Sequence, residues 1–212
     1  GNDNTTSGWA YGTMGIISRI ATITSMTTSA GIGGGGDFEF SMDANGIVSK
    51  AGDASFYGVM SMDKSMIVAT DTNSGNPELW VMMRTTQGTT YPMTDMMGAW
   101  VMHSVSSGNT GSRDWTFGHS SVDAGGKNTF SQMMGSAGMI SPTQMTMAMN
   151  IATGEITIPV TGGGMGGGMG GGMMGGGMMT ATFHGIMNEE KNMMVSTYTD
   201  GTGGYPFSIQ VK

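Results

Sequence analysis

A segment of seventeen residues occurs twice in this chain. Residues 56–72 read FYGVMSMDKSMIVATDT and residues 183–199 read FHGIMNEEKNMMVSTYT, aligned without a gap at a spacing of 127 and identical at eight positions. A match of that length is an internal duplication, and it limits the fold more than any other feature, because whatever one half builds the other builds again. Shorter matches extend it. Trp9, Tyr11 and Gly12 correspond to Trp115, Phe117 and Gly118, and Val81 to Arg84 correspond to Ile209 to Lys212. The 212 residues therefore divide into two related units, 1–87 and 88–212, each large enough for a modest core.

Within each unit apolar and polar residues alternate, and helical spacing is nowhere sustained over three turns. Phe38, Phe40 and Met42 share one strand face before a turn at Asp43–Gly46. Phe56, Met60 and Met62 alternate up to a turn at Asp63-Lys64, Met66, Val68 and Thr70 return, and Leu79, Val81 and Met83 close the first unit. In the second unit strands are expected near 97–106, 113–121, 127–134, 143–151, 155–160, 180–187, 191–199 and 205–212. Met145, Met147, Met149 and Ile151 line one face, as do Phe207, Ile209 and Val211, the period of two that a half-buried antiparallel sheet requires. The expected fold class is all-β, with two tandem antiparallel meanders of about seven and eight strands, each curled into a barrel or stacked as a sandwich.

The two copies differ in one respect. The second has a strand at 97–106 ahead of the Asn109–Trp115 region, whereas the first begins at Gly1-Asn2, the counterpart of Gly108-Asn109, and so lacks its opening strand. A sheet short of one strand leaves unpaired backbone groups on both sides of the gap, and such edges recruit another strand. Either a strand upstream of Gly1 fills the gap, as a chain that opens on Gly rather than Met invites, or the unit closes differently, or a neighbouring molecule completes the sheet and yields a polymer.

Composition narrows the functional classes. Charged residues are 11 % of the chain and the net charge is −7, with no basic stripe, so nucleic acid and anionic membranes are not expected partners. No apolar run approaches the roughly 18 residues of a membrane span. There is no cysteine, which removes disulfides and thiolate metal sites. The 27 methionines stand beside a single leucine, Leu79, so Met replaces Leu as the general core residue. No Gly-x-Ser-x-Gly elbow, paired acid arrangement or phosphate loop occurs, and the expectation is a protein that is not an enzyme.

One insertion carries a candidate site. Gly162 to Met179 reads GGGMGGGMGGGMMGGGMM, where the first unit has only Ala51-Gly52-Asp53. Thioethers spaced four apart on a pliable backbone can converge on a soft ion such as Cu(I) or Ag(I), and Met165, Met169, Met173 and Met178 are the first ligands to test. Otherwise the loop is a flexible excursion or an adaptable contact surface. His103, His119 and His184 fall on three strands with nothing in their spacing to gather them. Asp71 to Glu78 has several calcium-type ligands but Asn76 where such loops need Gly, and is read as a hairpin turn. Trp9, Tyr11, Trp115 and Phe117 are expected in the core or at a barrel end.

Short stretches resemble known folds. Gly98-Ala-Trp100 resembles the opening Gly-x-Trp of lipocalin-like barrels, and Leu79-Trp-Val-Met-Met-Arg84-Thr85 resembles their last strand. The repeat as a whole resembles uncharacterised tandem β-repeats of secreted bacterial proteins that open with Gly-x-Trp. The first resemblance implies that Trp100 closes one end of a barrel; the second implies an extracellular β-protein and carries no activity with it. The expected function is a secreted or cell-surface structural protein that associates with itself through sheet edges into a homo-oligomer or filament. The alternatives are a soft-metal module using the Gly/Met loop and a small-ligand carrier with an open barrel.

Overall fold

The computed structural model describes residues 8–72, 77–86, 88–108, 114–141, 144–158, 183–199 and 204–212. The Gly/Met loop, with Met165, Met169, Met173 and Met178, lies outside them, as do residues 73–76 of the acidic turn. The fold is all-β and antiparallel, in two sheets each curled like a half-barrel. Ala10–Thr85 form one compact unit and Thr86–Lys212 another, and Trp9 is counted with the second, where its indole Nε1 donates to Thr199 Oγ1 at 2.8 Å.

The first sheet contains β1 (Ala10–Ile17), β2 (Ile20–Thr28), β3 (Gly31–Ile32), β4 (Asp37–Met42), β5 (Ile47–Lys50), β6 (Asp53–Met60), β7 (Met66–Asp71) and β8 (Glu78–Met83). Each strand pairs with its sequence neighbour, except that β2 pairs both the short β3 and β4. The second contains β9 (Gly98–Gly108), β10 (Asp114–Val122), β11 (Lys127–Gly135), β12 (Gly138–Ile140), β13 (Gln144–Thr146), β14 (Ala148–Met149), β15 (Glu155–Thr157), β16 (His184–Met187), β17 (Met193–Thr197) and β18 (Gly204–Val211), preceded by a one-turn 3-10 helix at Met93–Met96. Here the last strand returns to the first, since β18 pairs β9 from Gly204↔Gly108 to Val211↔Val101. The strand expected at 143–151 is split: β13 bonds to β11 and β14 to β15, with Met147 N–H donating to Gly126 O at 2.9 Å between them. Residues 144–149 thus carry the ladder from β11 across to β15. In the first unit β4 makes the same crossing, pairing β2 through residues 37–39 and β5 through 40–42.

Turns recur as well as strands. Asp43 Oδ1 accepts from the backbone N–H of Asn45 and Ile47 before Gly46 at a φ of 79°, and at the matching corner of the second unit Asn150 Oδ1 accepts from Ala152 before Gly154 at 71°. Ser61 Oγ and Asn188 Oδ1 likewise each accept two amides of the hairpin they open, and Lys64 and Lys191 adopt φ of 60° and 59°. That lysine is one of the eight identities of the duplication. Gly12 and Gly118 also share a cause: a Cβ at Gly12 would run into Ser25 O and one at Gly118 into the Met133 side chain, so both copies need glycine beside an irregularity in the ladder.

Each unit has its own core. In the first, Ala21, Phe40, Val48, Phe56, Ile67 and Ala69 are buried with Trp80 and Met82 packed against them, and Phe56 meets Trp80 edge-on at 6.0 Å. In the second, Tyr91, Met96, Trp100, Val122, Met147, Ile156, Met187 and Met194 form the main cluster, and Met102, Phe130 and Met133 a smaller one. Trp100 is fully buried, donates from Nε1 to Met96 O at 2.8 Å, and carries Lys212 Nζ 5.0 Å above its ring.

Several expected faces are corrected. On β18 the buried residues are Gly204, Pro206, Ser208 and Gln210, so Phe207, Ile209 and Val211 point the other way. On β7 Ile67, Ala69 and Asp71 are buried rather than Met66, Val68 and Thr70, and on β8 it is Trp80 and Met82, not Leu79, that pack on the core. Met62 and Ile151 are exposed in turns. Small and polar residues occupy inner positions where a curled sheet brings backbones close, and that reverses the phase read from hydrophobicity alone. For the same reason Trp115 is exposed and Phe117 lies on the outer face of β10, between His103 at 4.8 Å and His119 at 5.9 Å.

Candidate strand-acceptor edge

Strand by strand, β1, β2, β5, β6, β7 and β8 of the first unit correspond to β10, β11, β15, β16, β17 and β18 of the second, and β4 corresponds to β13 with β14. Among the described residues β9 has no counterpart. In the second unit β9 sits between β10 and β18, antiparallel to both, with Phe117↔His103 on one side and Ile209↔His103 on the other. In the first, among the described residues, β1 has only β2 as a strand partner and β8 only β7.

The consequence is legible in exposure. Val122, at the inner end of β10, is 3 % exposed, whereas its counterpart Ile16 is 51 % exposed. Gly118 and Ser120 are buried, but the matching Gly12 is exposed and Met14 only half-buried. On the other side Gln210 and Ser208 are buried, while Met82 and Trp80, which match them, are not fully covered. What β9 supplies at this place in the second unit is Trp100, Met102 and Ser104, all buried.

Within its described residues β1 carries no charged or proline guard. β1 reads AYGTMGII, with no charge and no proline, and ends at Ile17, 79 % exposed. β8 is charged only at Glu78, which accepts from the Trp80 indole at 3.0 Å. A strand end of this kind can extend the ladder by backbone hydrogen bonds and bury an apolar stripe in the same step.

The polar groups elsewhere satisfy one another. In the first unit Lys50 Nζ lies 2.8 Å from Asp53 Oδ2 and 3.3 Å from Asp71 Oδ2, and Ser55 Oγ donates to Asp53 Oδ1 at 2.6 Å and Asp71 Oδ1 at 3.1 Å. The Lys50 ammonium and the Ser55 hydroxyl hold the Asp53 carboxyl far below the usual carboxylate range, and Asp53 in turn raises Lys50. The charge also lies 5.8 Å from the centre of the Phe56 ring. Asp71, read from the sequence as the start of a turn, is the last residue of β7 and serves this cluster. In the second unit the match of Asp71 is Tyr198, whose ring stacks on Phe183 at 6.0 Å.

His184 Nδ1 is 3.0 Å from Glu155 Oε1, and burial pushes the imidazole below its ordinary value against the opposing pull of that carboxylate. His103 and His119 share the outer face with Phe117 between them, and His184 stands apart on β16. No group of three or more His, Asp or Glu residues is placed to hold a metal ion among the described residues. The Lys50 cluster was not visible in the alignment of the two copies, because its members are separated by three and 21 positions and meet only through the curl of the sheet. No protein-family model matches the chain, and comparison with curated proteins finds no relative.

Proposed function

We propose that this is a non-enzymatic structural β-protein, secreted or held at the cell surface, which associates with itself through the β1 and β8 edges into an oligomer or filament. One observation carries the proposal: among the described residues the first unit has no counterpart of β9, and Ile16 is exposed and Met14, Trp80 and Met82 only partly covered where their duplicates are buried. An uncharged eight-residue edge strand supports it further, since a chain that must stay monomeric blunts such an edge with lysine or proline. Pairing of two different edges between copies is a heterologous contact, which propagates unless rotation closes it into a ring.

Sedimentation of the full chain at micromolar concentration tests this. Species larger than one copy, growing with concentration, are expected; a strict monomer across the range overturns the proposal. The carrier alternative meets an interior in which Met102, Phe130 and Met133 pack on one another and Trp100, Met147 and Met187 fill the main cluster. The soft-metal alternative rests on Met165, Met169, Met173 and Met178. Cu(I) titration of the whole chain against a deletion of residues 162–179 decides it, with unchanged affinity removing the loop.

A further inference from the structure

We infer that the outer face of β5 to β8 is a contact surface for a second copy of this chain, packed sheet against sheet about a two-fold axis. Two rows of side chains cross these four strands on the side away from the Phe56 core. Ile47, Val59, Val68 and Val81 are cross-strand partners in one row, and Ser49, Tyr57, Thr70 and Leu79 in the other. None of the eight is charged. Tyr57 is 64 % exposed, Val59 56 %, Leu79 53 %, Ile47 41 % and Val68 37 %. In the duplicate the matching His184, Ile186, Val195, Phe207 and Ile209 are all buried or half-buried. The same face is thus covered in one unit and bare in the other.

The size of this face suits a contact between copies. Side chains exposed to those fractions leave roughly 450 Å² of mostly apolar surface, within the range of a monomer's largest patch, which is often functional. A standard interface takes about 800 Å² from each partner, a little over half of it apolar, which is the same quantity. Charge selects the occupant. A two-fold contact sets each residue near its own copy, so a charged patch would repel itself. Copies of a chain of net charge −7 repel one another, and an uncharged face is where they approach without bringing like charges together. Its rows of valine and isoleucine can interdigitate as the inner faces of a β-sandwich do. The contact uses neither β1 nor the backbone edge of β8, so it stands apart from association through those edges.

Analytical ultracentrifugation of the full chain across the micromolar range tests this, with Val59→Lys, Tyr57→Lys and Val59→Leu beside the parent. A two-copy species is expected for the parent and for Val59→Leu. Either lysine should raise its dissociation constant at least tenfold, although each lowers the net negative charge, because it is set near its own copy. Ile32→Lys makes the same charge change at an exposed position off this face and should leave the constant unchanged. Circular dichroism melts check that each variant is folded, and the two lysine variants are read independently. Ile17→Lys acts on the β1 edge and should leave the two-copy species in place. Loss of that species in Ile17→Lys, with no change in Val59→Lys and Tyr57→Lys, overturns the face and leaves edge association standing. A parent that stays monomeric overturns it outright. Flotation with neutral phosphatidylcholine vesicles is the last arm: binding that Val59→Lys abolishes, without a two-copy species, gives the face to lipid and overturns the proposal.

Discussion

Lys50 is the residue on which the first unit's polar interior turns. Its ammonium faces two carboxylates whose side chains are almost wholly buried, and removing it takes that ion pair from both. Because the Asp53 carboxyl is depressed in the fold, its contribution is complete above the ordinary Asp value near 3.8 and is lost as pH falls below it. Lys50→Met is therefore expected to lower the melting temperature at pH 7 and to flatten the acid limb of a melting-temperature profile below about pH 4. His184 acts in another window. With its folded value below 6.5, the unfolded chain takes up the proton first, so stability is complete above that pH and declines as pH falls through it. Thermal melts between pH 5 and 8 should show this slope in the parent and a flatter profile in His184→Gln.

At the scale of elements, glycines report where strands crowd. Gly12 faces the backbone oxygen of Ser25, which cannot yield, whereas nothing lies within 4 Å of a Cβ at Gly15. Urea unfolding should place Gly12→Ala about 1–3 kcal/mol below the parent and Gly15→Ala within about 0.5 kcal/mol of it. The β1 edge makes a different prediction: Ile17→Lys, at an exposed strand end, leaves folding unchanged but lowers the sedimentation coefficient of the assembled protein toward that of one copy.

Much of this level was readable beforehand. Duplicated segments and period-two alternation marked the strands and turns, because those depend on local pattern and chain order. The inward phase of β7, β8 and β18 was not readable. Ser208 and Gln210 face in, and Ile209 faces out, for reasons of curvature that involve neighbours distant in sequence. The Lys50 cluster escaped for the same cause, since Asp71 reaches it only once β5, β6 and β7 lie side by side.

For the whole molecule, two cores imply two stability questions. Trp100 is the largest fully buried side chain, and Trp100→Ala should cost about 3–5 kcal/mol, seen by hydrogen exchange as lost protection in β9, β10 and β18 rather than in β5 to β8. The duplication also shows what differs between the halves among the described residues: in one, pairing runs on through β9 and 144–149, and in the other it ends at β1 and β8. Folding of the two units is thereby centred on separate places, the clusters around Phe56 and Trp100.

The hairpin between β5 and β6 needs only Ala51 and Gly52, the latter at a φ of 74°, yet the same junction in the duplicate spans residues 158–183. One architecture therefore accommodates both lengths at that corner, because loop closure grows only slowly more costly with each added residue. For protein engineering it marks a permissive graft position: an affinity epitope or fluorophore-binding peptide spliced after Ala51 would hang from the unit without interrupting a strand, leaving the opposite turns at Asp43 and Ser61 untouched.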